Sequence, residues 1–359
     1  MMTEDFAELH RVLGAICPVD PKDETEARHR LDSLTKPIGS LGRLETIAAQ
    51  LFSIYAGEIP LPLRRAIYVF AADHGVTAEG VSAYPSEVTA QMVQNFLNGG
   101  AAISVLARMH HADLTVVDVG VDAVLEEAPG LCRMKVRRGS RNMRREPAMT
   151  AQEMIAALNA GIRLAQAAAE RGENLIAVGE MGIGNTTPAS AITSVLVRQP
   201  VAAVTGRGAG LDADGRNRKL NVIRRSIKLH FGEELNPDPL DMLRCVGGLE
   251  IAAMTGFILG AAACRIAVVC DGFIATAAAA IAHALCPHVC DFLFAGHCSE
   301  EPGHRFLLRR LGLAPILNLG MRLGEGTGAV LAMPLIESSV RLMMEMATFS
   351  SAGVSEATQ

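Results

Sequence analysis

Asn174-Leu-Ile-Ala-Val-Gly-Glu-Met-Gly-Ile-Gly-Asn-Thr-Thr-Pro-Ala189 decides the fold class by its internal order. Residues 175–178 are a short, unbroken apolar run, the pattern of a strand buried on both faces. Glycines follow at once, and then Asn185-Thr186-Thr187-Pro188, which reads as a helix start with capping side chains and a proline near the first turn. Similar runs at 66–72, 114–119, 201–204, 266–269 and 316–319 alternate with Ala-rich segments of helical spacing. Repetition of such units predicts an α/β fold, with a parallel sheet covered by helices on both sides. Ahead of the first run the chain is helical at 6–16, 24–34 and 44–55, with a turn-rich Thr35-Lys-Pro-Ile-Gly-Ser-Leu-Gly-Arg43 before the third helix.

The composition suits this reading. In 359 residues, 50% are hydrophobic and 20% charged, enough for a large core organised as one domain with an appendage or as two domains. Net charge is -5 and the basic residues are scattered, so nucleic acid is not expected as a partner. The apolar stretches near 249–263 and 266–285 are broken by Gly, Asp or Arg, so no membrane span is expected. Eight cysteines, mostly within apolar runs and with no leader segment ahead of them, are expected as reduced thiols in the cytoplasm. Cys286, Cys290, His297, Cys298 and His304 cluster in sequence, but their spacing matches no standard zinc signature, and no metal is expected.

In open parallel sheets the ligand lies beyond the carboxyl ends of the strands. Those ends read Asp73-His74-Gly75, Gly120-Val-Asp122, Gly179-Glu180, Thr205-Gly-Arg-Gly-Ala-Gly210, Asp271-Gly272, and Gly320 onward to Glu325. Glycine with an acid or a hydroxyl recurs at each. Glu325 is singled out, because Met321-Arg-Leu-Gly-Glu-Gly-Thr-Gly-Ala329 sets one carboxylate between glycines, as expected where backbone must approach a ligand and an acid must act. On residues alone, Glu325 serves equally well as a catalytic base or as an acid at the N-terminus of the helix beginning near Thr327. The open amides of 205–210 and the helix start at 185–188 suit a phosphate. There is no Walker pattern, and the glycines at 206, 208 and 210 lack the dinucleotide-binding spacing, so a mononucleotide fits better than ATP or NAD.

Six stretches together resemble the nicotinate-nucleotide:dimethylbenzimidazole phosphoribosyltransferase family, over nearly the whole chain. They are Lys36-Pro-Ile-Gly-Ser-Leu-Gly-Arg-Leu-Glu45, Ala72-Asp-His-Gly-Val76, Glu87-Val-Thr-Ala90, Gly179-Glu-Met-Gly-Ile-Gly-Asn-Thr-Thr-Pro-Ala189, Asp271-Gly-Phe273 and Arg322-Leu-Gly-Glu-Gly-Thr-Gly328. The resemblance implies a homodimer. Its Rossmann-like large domain would span about 61–327, and a small helical domain would be built from 1–60 and about 328–359. It implies transfer of the 5-phosphoribosyl group from nicotinate mononucleotide to 5,6-dimethylbenzimidazole without a cofactor. Catalysis falls to Glu325 as general base and to Glu180, which would hold a ribose hydroxyl or stabilise developing positive charge. Phosphate and ribose fall to Asn185, Thr186, Gly206, Gly208, Lys219, Ser299 and Arg322, and the aromatic base to Ser82, Tyr84, Gln91 and Met92. Lys219 shares its helix with Arg216, Arg218, Arg224 and Arg225, where a solvated basic face is the ordinary explanation. His74 and Asp73 form a tempting pair whose ordinary role is structural, and Met343-Met-Glu-Met346 reads as core or dimer contact. Two other classes compete: a nucleotide-binding regulatory module, against which Glu180 and Glu325 argue, and a nucleoside-phosphate hydrolase, disfavoured because the sequence shows no carboxylate cluster or clear metal site.

Overall fold

The structure, a computed structural model, describes residues 6–232 and 236–355. Helices α1 (Ala7–Ala15), α2 (Pro21–Asp32) and α3 (Arg43–Ile54) precede β1 (Arg65–Ala72). Then come α4 (Glu87–Leu97), α5 (Ala102–Met109), β2 (Asp113–Gly120), β3 (Leu131–Arg133), α6 (Ala151–Glu170) and β4 (Leu175–Met181). Helices α7 (Thr186–Val197), α8 (Val201–Val204), α9 (Ala213–Phe231), α10 (Pro239–Val246) and α11 (Leu249–Ala263) form the long connection to β5 (Ala267–Cys270). The remainder is α12 (Phe273–Leu285), β6 (Leu293–His297), α13 (Pro302–Leu311), β7 (Pro315–Leu317), α14 (Thr327–Glu345) and the short α15 (Phe349–Ala352).

The strands form one all-parallel sheet in the order β3-β2-β1-β4-β5-β6-β7. The chain winds outward from β1 to β3, returns, and winds the other way from β4. The crevice between the carboxyl ends of β1 and β4 is therefore the topological switch point, where ligands of doubly wound folds bind. Phe70 lies opposite Glu180 in that pairing.

One expected strand is overturned and two strands are unexpected. Residues 201–204 form α8, a single helical turn: Val201 and Val204 are buried while Ala202 is exposed, a spacing of three that a strand between two others would not show. Pro200 directs the turn, its carbonyl accepting from Ala203 N at 2.8 Å. The sheet position falls instead to β6, whose sequence Leu-Phe-Ala-Gly-His ends in polar character and hides the apolar pattern. β3, an edge strand, also escapes the sequence pattern because it is only three residues long.

Helix α11 is buried almost all round and packs along α6. Glycine makes that possible at two points. A Cβ on Gly161 would fall 1.9 Å from Ala253 O, and one on Gly256 would fall 1.9 Å from Leu158 O, so both backbones touch. Phe257 then reaches the sheet, its ring centroid 4.8 Å from that of Tyr68 and 5.5 Å from that of Phe70. The two chain ends meet in a separate apolar cluster of Ala27, Leu31, Leu34, Ala48, Ala49, Phe52 and Met343. Arg30 fastens them, donating to the carbonyls of Met343 and Met344. Helix α1 packs elsewhere, with Leu9 and Val12 in the main core against α6 and α11. Among the described residues, no helix is long and apolar enough to cross a membrane. Gly256→Val should cost about 3 kcal/mol or more of unfolding free energy in urea denaturation, and a loss below about 1 kcal/mol would show that α6 and α11 separate easily.

Candidate active site

At the switch point the chain makes an unusual turn. Gly324, Glu325 and Gly326 all have left-handed backbone, with φ of +86°, +66° and +91°. For glutamate this conformation costs about 1–2 kcal/mol, so something must hold it. Asp271, just past β5, does so. Its carboxylate accepts from Gly326 N at 3.1 Å, Gly328 N at 2.7 Å and Ala329 N at 3.0 Å, which caps α14 from a neighbouring strand. Two strand glycines let the loop settle on the sheet: a Cβ on Gly179 would lie 2.2 Å from Gly326 N, and one on Gly296 2.7 Å from Ala329 Cα.

Because Asp271 supplies the cap, Glu325 does not. Among the described residues the Glu325 carboxylate accepts only from Ile103 N, at a long 3.5 Å, and makes no bond to α14. The residue is 5% exposed. Burial, assisted by the nearby Asp271 charge and opposed by the Ile103 amide, raises its carboxyl from 4.5 to about 7. That is the range of a general base working near neutral pH.

Glu180 lies beside it. Glu325 N donates to Glu180 O at 3.3 Å, and a Cβ on Gly324 would come within 2.5 Å of Glu180 Oε1. Asn185 Nδ2 donates to Glu180 Oε2. Burial first, then the charges of Asp271, Glu250 and Glu325, push the Glu180 carboxyl well above the ordinary range despite that bond. The absence of a carboxylate cluster, expected from sequence, is overturned: Glu180, Glu250, Asp271 and Glu325 come from four separate segments and meet only in three dimensions. Among the described residues no group of three or more His, Cys, Asp or Glu is arranged to hold a metal ion.

His74, after β1, is fully buried with Nε2 2.8 Å from Glu250 Oε1. Burial opposes charging the ring, but the Glu250 and Asp73 charges prevail and raise its pKa. Asp73 Oδ2 accepts from Asp122 N at 2.7 Å. Of the cysteine and histidine cluster, His304 is engaged elsewhere, its Nδ1 accepting from Ser299 N and its Nε2 paired with Thr276.

A second group gathers around the 205–210 loop. Lys219 is fully buried, so the solvated-face explanation does not hold, and its Nζ donates to Thr186 Oγ1 at 2.6 Å. Burial lowers its pKa to about 8. Arg322 Nη1 donates to Gly208 O at 3.1 Å, and Gly206, Gly208 and Arg322 line a cavity of about 530 Å³. Ser299 is buried nearby, with Oγ accepting from Glu301 N at 3.3 Å. Asn185 joins this group to Glu180 through its side chain. Of the residues expected at the aromatic base, Ser82 Oγ accepts from Tyr84 N, Tyr84 and Gln91 are exposed, and Met92 packs on the core. Thr89, on the same helix as Gln91 and Met92, is buried and accepts from Ile183 N, beside the Glu180 loop.

Sequence reasoning named neither Glu250 nor Glu301, nor the capping role of Asp271. Glu250 had a signal, a lone acid in an otherwise apolar helix, and Glu301 another, an acid before proline at a helix start.

A doubly wound sheet with an acid pair at its switch point and a basic, glycine-lined cavity beside it has the parts of a phosphoribosyl-transferring enzyme, and a family model described as "Phosphoribosyltransferase" matches residues 16–354. A nicotinate-nucleotide–dimethylbenzimidazole phosphoribosyltransferase of Geobacter sulfurreducens is 53% identical over 348 residues, covering 97% of this chain and 98% of that one. One of the same name from Halalkalibacterium halodurans is 47% identical over 352 residues, covering 98% of both. A crystal structure of the similarly named protein from Thermus thermophilus superposes with a TM-score of 0.88 at 47% identity, covering 94% of this chain and 100% of that one. The chain belongs to the nicotinate-nucleotide–dimethylbenzimidazole phosphoribosyltransferase family.

The raised Glu325 pKa has a thermodynamic signature. A carboxyl bound more tightly to its proton in the folded state stabilises the fold fully below 4.5, and that stabilisation is lost as pH rises through about 7. The stability difference between wild type and Glu325→Gln, from urea denaturation, should therefore move in favour of the variant between pH 4.5 and 7. A difference independent of pH across that window would contradict the burial of an ionising carboxylate here.

Proposed function

We propose that this chain transfers the 5-phosphoribosyl group from nicotinate mononucleotide to 5,6-dimethylbenzimidazole, yielding α-ribazole 5'-phosphate and nicotinate, with Glu325 as general base. The carrying observation is that Glu325 is held at the switch point, relieved of capping by Asp271 and raised to about 7. The chemistry needs one base. Nicotinate leaves from a pyridinium and takes the bonding pair, so the anomeric carbon gains oxocarbenium character. One ring nitrogen of the benzimidazole attacks that carbon, and the proton on the other nitrogen passes to the Glu325 carboxylate. No electron acceptor is needed, and because no pyrophosphate departs, no metal is needed for the leaving group.

Glu180, whose buried and acid-crowded surroundings favour its neutral form, suits a hydroxyl of the ribose as a hydrogen-bond partner. The phosphate is assigned to Gly206, Gly208, Thr186, Lys219, Ser299 and Arg322, with Asn185 bridging to the ribose end through Glu180. Ser82, Tyr84, Gln91 and Met92 are assigned to the aromatic base, where exposed Tyr84 and Gln91 would close over a flat ring. A cytoplasmic homodimer belongs to the same reading. Exposed Val105 and Met109, one turn apart on α5, and Leu335 on the adjoining α14 support a second copy docking there. The packing of α2, α3 and α14 around one apolar cluster supports a small helical domain from both chain ends.

Incubation with nicotinate mononucleotide and a panel of bases should give an α-configured nucleotide with 5,6-dimethylbenzimidazole. Ribose phosphate formed without added base would favour the hydrolase, and no turnover the regulatory module. Glu325→Gln should bind both substrates and lose about 10²–10⁴-fold in kcat. In the wild type, kcat/KM should fall as pH drops below about 7, as the base takes up its proton. Retained turnover in the variant would remove the base assignment.

A further inference from the structure

Glu301 stands at the N-cap of α13, yet its carboxyl makes no capping bond to that helix. It reaches across to the glycine loop instead. Oε1 accepts from Gly208 N at 2.8 Å, while Oε2 has no hydrogen-bond partner among the described residues. The residue is 6% exposed. A Cβ on Gly206 would strike Oε2 at 2.3 Å, so the loop is glycine where the carboxylate lies on it. Around the same spot stand the groups assigned to phosphate. A Cβ on Gly208 would come 2.8 Å from Thr186 Oγ1 and 3.3 Å from Lys219 Nζ, and Arg322 donates to Gly208 O.

We propose that Glu301 is a resident anion of the phosphate cradle, one that holds the Gly208 N–H while the site is empty and yields it when the 5'-phosphate binds. The inference rests on the phosphate assignment above. Three physical points support it. A fully buried lysine ammonium is costly without a counter-charge, and Glu301 supplies one that opposes the effect of burial on Lys219. A carboxylate and a phosphate are both acceptors, and the single hydrogen of Gly208 N cannot serve both fully. Two anions held side by side, one of them on a buried side chain, also repel strongly. The carboxylate therefore lowers phosphate affinity below what the surrounding donors would give, and its return to Gly208 helps expel the product nucleotide.

The test is E301Q, whose amide oxygen still accepts from Gly208 N while the charge is gone. Calorimetric titration with inorganic phosphate, and separately with nicotinate mononucleotide, should show binding tighter by about tenfold or more in the variant. Unchanged or weaker phosphate binding by folded E301Q would overturn the proposal. Should E301Q fail to fold, the wild type decides through NMR. Titration with inorganic phosphate should shift the Gly208 amide and the Glu301 carboxyl carbon together, and an unmoved Glu301 signal at phosphate saturation would overturn the proposal. Tighter phosphate binding by E301Q in a protein that never turns over nicotinate mononucleotide would support the resident anion while removing the proposed reaction.

Discussion

Three amide hydrogens converging on the Asp271 carboxylate hold the rest of the site in place. They satisfy the first turn of α14, which would otherwise leave donors unpaired in the core. They also anchor a loop whose middle residue, Glu325, takes a backbone conformation that glutamate seldom adopts. Strain of this kind persists only where its surroundings over-determine it, and it gathers at functional sites. Gly179 and Gly296 complete the anchoring from below, since any side chain there would lift the loop off the sheet.

Electrostatics follow from that placement. Pressing the loop onto β4 brings Glu325 against Glu180, and the winding of the sheet adds Asp271 and Glu250. Buried acids cannot all ionise together, so their proton affinities spread apart. Asp271 is itself raised, because burial outweighs the opposing His297 charge and the amides it caps. Glu180, with three acids acting on it, is driven far upward, and Glu325, with Asp271 alone acting on it, settles near neutrality. Pairs of acids separated in this way commonly divide roles, one neutral and binding, the other able to accept a proton. His74 and Glu250 balance part of the remaining charge behind them.

Much of this was legible in the sequence because it is local. Short apolar runs ended by glycine marked the sheet, and Asn185-Thr186-Thr187-Pro188 marked the start of α7. What failed was non-local or too short. Residues 201–204 are apolar enough for a strand, and only their burial at every third position reveals a helical turn. β6 passed unnoticed because its final residues are small or polar. Lys219 looked like part of a basic face, since nothing in sequence shows that α9 turns it inward toward Thr186 while leaving its arginine neighbours near the surface. The carboxylate cluster joins segments far apart in the chain, which spacing cannot reveal.

The central claim is that a buried glutamate with neutral-range proton affinity sits ready to deprotonate an incoming heterocycle. Its most direct test is a carbon-13 NMR titration of the Glu325 side-chain carboxyl in the ligand-free protein, assigned by loss of the signal in Glu325→Gln. The account predicts a midpoint near 7. A midpoint at the ordinary 4.5 would contradict it, leaving Glu325 a solvated acid with no special fitness as a base.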